Sequence, residues 1–303
     1  MKKKCIILLV LILLPCQIIG CAEEISSIDP EYVRTYVPQT AGALPEFIAA
    51  FSVPEMPEQA DTYRIVYPAV TESFVIETAR KFGITGTVTE GTDGFSVVDE
   101  QTGSTLEVFT SGAIWYNPEP YREIHFSENA ALPSEKEAVG IAVQFLEERD
   151  LLPSENKQYA KAGTGGTIQG KPGHILVSFR YTIGEHPVEG PGFRFLVRVG
   201  NNGEPGEVFI YCPEVERRKS VLLLPVEKAF GELQKGNGSW TTYNEKTIIL
   251  EEVGLRYYLQ PVNETQEYVL PVYVFQGYGL NDDSTQGNEA QAIVNAVDIG
   301  NSR

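Results

Sequence analysis

The residues of this 303-residue chain that could do chemistry are three histidines, four cysteines and several adjacent carboxylates. Zinc hydrolysis needs two histidines one helical turn apart with a glutamate base, and His125, His174 and His186 are far from that spacing. His186, beside Pro187, reads as a solvated or locally hydrogen-bonded side chain. No Gly-x-Ser-x-Gly elbow supports acyl transfer. Gly165 to Lys171 has the spacing of a phosphate-binding loop, but Pro172 follows, with neither a hydroxyl for magnesium nor an N–H for phosphate; a flexible loop is expected. The pairs Glu147-Glu148, Glu251-Glu252 and Asp282-Asp283 could serve as acid and base or as calcium ligands, yet neighbours on a helix or strand point different ways. The oxygen-rich run from Asn281 to Glu289 does not fit the EF-hand spacing. No catalytic residue, metal ligand or cofactor is therefore assigned. Asn237-Gly238-Ser239 and Asn263-Glu264-Thr265 are acceptor triplets for N-glycosylation. Among the aromatics, Tyr257, Tyr258, Tyr268, Tyr273, Phe275 and Tyr278 form the candidate partner surface, either as sheet packing or as a face for strand addition.

These residues follow an N-terminal segment that sets their location. Lys2, Lys3 and Lys4 precede an apolar run from Cys5 to Leu14, the layout of a secretory leader. Cys5 to Gly20 is 16 residues, short of the ~20 that a spanning helix needs. Ile18-Ile19-Gly20-Cys21 resembles the lipobox of prokaryotic lipoproteins. The resemblance implies cleavage between Gly20 and Cys21, lipid such as palmitate on the Cys21 sulfur, and attachment to the extracytoplasmic face of the cell membrane. Cys212 is then the one thiol left beside the lipidated one, so no intramolecular disulfide is expected. Without the leader, 21 basic residues stand against 41 acidic ones, which disfavours nucleic acid and anionic headgroups as partners. With 42% apolar and 21% charged residues the chain has ordinary globular composition.

The elements that would position these groups are read from periodicity. Residues 1–20 are the signal peptide, and 21–60, with five prolines, a tether carrying a short docking helix at Leu44 to Phe51. A unit at 61–117 opens with a strand at Tyr63 to Tyr67 and a helix capped by Thr71, then strands. The unit at 130–218 opens with the capping box Ser134-Glu135-Lys136-Glu137, its apolar stripe Ala138, Ile141, Ala142, Phe145 and Leu146 behind it. The unit at 219–303 starts a helix near Pro225, followed by strands from Thr247 to Asp298. The expected fold class is α+β, repeated units of one helix on an antiparallel meander.

The capped helix from Ser134, with His186 to Gly192 and Gly200 to Gly203 around its later strands, resembles the PepSY domain and YycH/YycI-type extracytoplasmic regulatory proteins, as does Leu224 to Tyr278 more loosely. That resemblance implies non-enzymatic modules that restrain a protease or a sensor kinase, and it supplies no catalytic residues. The expected function is a membrane-anchored extracytoplasmic binding or regulatory lipoprotein acting on an envelope or membrane protein. The alternatives are an envelope hydrolase built from distant carboxylates, or a small-ligand carrier.

Overall fold

A computed structural model describes residues 29, 32–33, 36–38, 40, 43–119, 131–152, 159–168, 171–192, 194–241 and 245–300. Helix α1 (Glu72–Lys81) begins where the Thr71 hydroxyl accepts from the Phe74 amide at 3.3 Å, with Glu72 in its first turn and Arg80 and Lys81 in its last, matching the helix dipole. Helix α2 (Glu135–Glu147) begins with the reciprocal Ser134–Glu137 capping box. Helix α3 (Val226–Gln234) follows Pro225 and buries Val226, Ala229 and Leu233, one stripe at helical spacing.

Eight strands form one antiparallel sheet. They are β3 (Val88–Glu90), β4 (Gly94–Val98), β5 (Thr105–Phe109), β6 (Ile114–Asn117), β7 (Tyr159–Ile168), β8 (Lys171–Phe179), β11 (Arg194–Val199) and β12 (Pro205–Tyr211), ordered β3-β4-β5-β6-β12-β11-β8-β7. Helices α1 and α2 lie on the same face, where Val75, Ala79, Ala138, Ala142 and Leu146 meet Val97, Leu106, Val177, Val197 and Val208 in one core.

A second sheet of seven strands is built around β15 (Thr247–Tyr258), β17 (Pro271–Leu280) and β18 (Gln286–Asn295), extended by β14 (Ser239–Trp240) on one side. On the other side β1 (Glu46–Ala49) pairs parallel with the start of β15, and β10 (His186–Glu189) pairs parallel with its end and carries β9 (Thr182–Ile183). Helix α3 covers one face, over Tyr273, Phe275, Ala292 and Val294. Val33, Tyr36 and Val37 cover part of the other, over Val272, Val274 and Ile293. Enclosure on both faces explains why Pro271 to Phe275 is an unbroken buried run without alternation. A third sheet, β13 (Glu214–Leu222), β2 (Gln59–Val66) and β16 (Tyr268–Val269), stands at the junction of the other two.

This architecture corrects the α+β expectation. Eighteen strands accompany three α-helices among the described residues, and the sheets are not built unit by unit. Strand β6 pairs with β12, which joins 61–117 to 130–218. Strand β2 pairs with both β13 and β16, and the expected boundary at 218–219 falls inside β13. The local pattern finds strands, but an unpaired strand edge takes whichever segment can satisfy its N–H and C=O groups. The tether and its docking helix are corrected in the same way. Glu46–Ala49 is a strand on β15, and Tyr36 is 1% exposed. Residues 1–28, with the leader, Gly20 and Cys21, lie outside the described residues. No helix among the described residues is long and apolar enough to cross a membrane.

Candidate functional site

Among the described residues, Val33, Tyr36 and Val37 cover only part of their face of the seven-stranded sheet, and beyond them lies a groove of about 560 Å³. Its floor follows from register. On β17 and β18, Val274 lies opposite Ile293 under the N-terminal strap; the next rows on the same face are Gln276 opposite Gln291, then Tyr278 opposite Glu289. On β15, Glu252 lies opposite Gln276, and a bulge between Leu250 and Glu252 brings Glu251 to the groove as well. Thr241 and Gln286 complete the rim. Gly277 permits the close approach of β17 to β15, because a Cβ there would stand 1.8 Å from the Ile249 carbonyl oxygen.

The groove is polar and its side chains are mostly uncommitted. Gln276 accepts from Arg256 at 3.2 Å, and Arg256 also pairs with Glu189. The side chains of Glu251, Glu252, Tyr278, Gln286, Glu289 and Gln291 have no hydrogen-bond or ion-pair partner among the described residues. Beside them the strap is tightly held. The Tyr36 hydroxyl accepts from Gln266 Nε2 at 2.6 Å and from the Leu270 amide at 2.8 Å, and donates to the Tyr258 carbonyl. Burial pushes the Tyr36 phenol well above its ordinary pKa.

The expected aromatic surface is mostly core. Tyr257, Tyr258, Tyr273 and Phe275 are 2%, 3%, 1% and 0% exposed, which corrects their reading as a partner face. Both faces of their strands are covered here, so alternation exposes neither set. Tyr257 donates to the Asp61 carbonyl and Tyr273 to the Leu224 carbonyl, each at 2.8 Å. Burial, with Glu264 behind it, pushes the Tyr258 phenol up to about 12. Tyr268 is half-buried against Tyr32, and of the six only Tyr278 reaches the groove.

Asn237 is exposed, its amide donating to Glu232 at 2.6 Å, and Asn263 is exposed in a turn. His125 lies outside the described residues, His174 is buried on β8, and His186 is half-buried beside the Tyr257 ring. Cys212 packs at the edge of the core under α1 and α2. Gly165 to Ile168 and Lys171 belong to the antiparallel β7–β8 pair, the wrong frame for a phosphate loop. Asp283 accepts from the Thr285 amide at 3.0 Å and hydroxyl at 2.5 Å, which lowers its pKa, and Asp282 faces Lys246 at 3.4 Å; both shape the β17–β18 turn. Among the described residues no group of three His, Cys, Asp or Glu side chains could hold a metal ion. The sequence flagged Glu251, Glu252, Tyr278 and Glu289 separately and omitted Gln276, Gln286 and Gln291. Only the pairing of three strands brings these residues together, and the one local hint is the adjacent Glu251-Glu252.

No family model and no curated protein matches the chain. Its structure is similar to that of an uncharacterized protein from Eubacterium rectale ATCC 33656, with a TM-score of 0.48 and 11% identity over 81% of this chain and 86% of that one.

Proposed function

We propose that this chain is a membrane-anchored extracytoplasmic binding lipoprotein, held by lipid on Cys21, that modulates an envelope or membrane protein by direct contact. The groove on the seven-stranded sheet carries the reading. A concave surface whose hydrogen-bonding groups lack partners among the described residues is one that a bound partner satisfies. The packed strap supports the location. Cys21 lies twelve residues before Val33, so a fully extended connection reaches at most ~40 Å, and lipid on Cys21 would keep the groove close to the membrane.

The test is cross-linking in native membranes with an affinity tag after Arg303, read by mass spectrometry against an unrelated lipid-anchored control. The expected result is one enriched membrane or envelope protein, with capture reduced in Cys21→Ser. Metabolic labelling with an alkyne fatty acid should mark the wild type and not Cys21→Ser. Enrichment no better than the control overturns the reading, and so does labelling that persists without Cys21.

A further inference from the structure

The strap and the groove share one sheet face, and the covered part displays how that face holds a polypeptide. Asn295 donates its side-chain amide to the Val33 carbonyl, and Gln260 donates to the Tyr36 carbonyl at 3.1 Å. Carboxamides thus fix the strap's main chain, while Val272, Val274 and Ile293 receive its side chains. Further along the same strands the carboxamides continue as Gln276, Gln291 and Gln286, but the apolar floor stops. Glu251, Glu252 and Glu289 replace it, and none of the groove's lining residues among those described is Lys or Arg. These carboxylates are too dispersed to be gathered on one metal ion. Their spread suits several cations carried on one chain.

We infer that the groove binds an extended, lysine- or arginine-rich peptide segment lying across β14, β18, β17 and β15. The carboxamides of Gln276, Gln286 and Gln291 engage its main chain, Glu251, Glu252 and Glu289 pair with its cations, and the Tyr278 ring covers an aliphatic stem. Four strands at ~4.8 Å spacing give a path of ~14 Å, the length of about four extended residues. This names the ligand of the surface proposed above and rests on that binding reading.

The test uses the purified full chain without its lipid and three fluorescent probes: a short alternating Lys-Ser peptide, its Glu-Ser counterpart, and spermine. Anisotropy should show saturable binding of the Lys-Ser peptide and none of the Glu-Ser peptide. Glu251→Gln/Glu252→Gln/Glu289→Gln should weaken binding at least tenfold, and the loss should shrink as salt rises. Gln276→Ala/Gln291→Ala should weaken the peptide several-fold and leave spermine unchanged, a difference that general attraction to an acidic protein would not produce. Thermal melts that match the wild type establish that the variants are folded. Equal affinity of the wild type and the triple variant overturns the inference, as does a Gln variant that affects neither probe. A membrane protein captured by cross-linking but insensitive to the triple variant would sink the groove assignment alone. Peptide binding without any captured membrane protein would sink the regulatory reading alone.

Discussion

His174 is the residue whose environment makes the clearest demand on solvent conditions. It is 3% exposed on β8, facing Gly165 of β7, where a Cβ would stand 2.5 Å from Nε2. Burial, and then the charge of Arg198, holds its pKa down to about 4, against 6.5 for an ordinary histidine. A folded value below the unfolded one means that the stabilising difference is present in full above pH 6.5. It is lost as pH falls from 6.5 toward 4, because the unfolded chain takes up the proton first. The full loss over that window is about 3 kcal/mol. Urea midpoints measured between pH 7 and 4 should therefore decline, whereas His174→Gln should start lower at pH 7 and lack that component. Equal slopes in both proteins would contradict the assignment. Nothing in the sequence around His174 announces this, because the shift comes from burial and from a charge on β11.

Elements divide by whether their cause is local. Thr71, Ser134 and Glu137 identify the starts of α1 and α2 because a cap is a contact between residues three apart. Leu44 to Phe51 misleads for the opposite reason: Pro45 suits a helix start, but the open edge of β15, some 200 residues away, makes Glu46–Ala49 a strand. The strap is likewise invisible locally, since prolines and weak periodicity say tether while Tyr36 finds its partners at Tyr258, Gln266 and Leu270. Tyr36→Phe keeps the ring and removes the oxygen on which three groups converge. Leaving buried donors unsatisfied costs about 1–3 kcal/mol. Urea unfolding should show a loss in that range, and hydrogen exchange at residues 32–37 should accelerate more than at α1 and α2. A loss below the range, with unchanged exchange, would mean that the apolar contacts of Val33 and Val37 alone hold the strap.

At the scale of the whole molecule, the three units expected from the sequence share strands in all three sheets, so one cooperative structure is expected, and this can be tested. The seven-stranded sheet takes β14, β15, β17 and β18 from 219–303 but β1 from the N-terminal segment and β9 and β10 from the preceding unit. Its α3-side core includes Phe47 and Ala60, with Phe51 against Phe230 and Phe275. Its opposite face depends on Val33, Tyr36 and Val37. The fragment 219–303 would thus expose Tyr258, Val272, Val274 and Ile293 at once and leave one edge of β15 unpaired over its whole length. Burying one large apolar side chain contributes about 1.5–3 kcal/mol, and a domain's entire stability is ~5–15 kcal/mol, so losing several such contacts leaves nothing to hold the fragment folded. The fragment should lack near-ultraviolet circular dichroism and dispersed amide resonances. The full chain should unfold in urea in a single transition, with tryptophan fluorescence, from Trp115 in the eight-stranded sheet and Trp240 in the seven-stranded one, coinciding with far-ultraviolet ellipticity. Two separated transitions, or a well-dispersed spectrum from residues 219–303 alone, would show that the shared strands β1 and β10 are attachments to a self-sufficient body and not parts of its core.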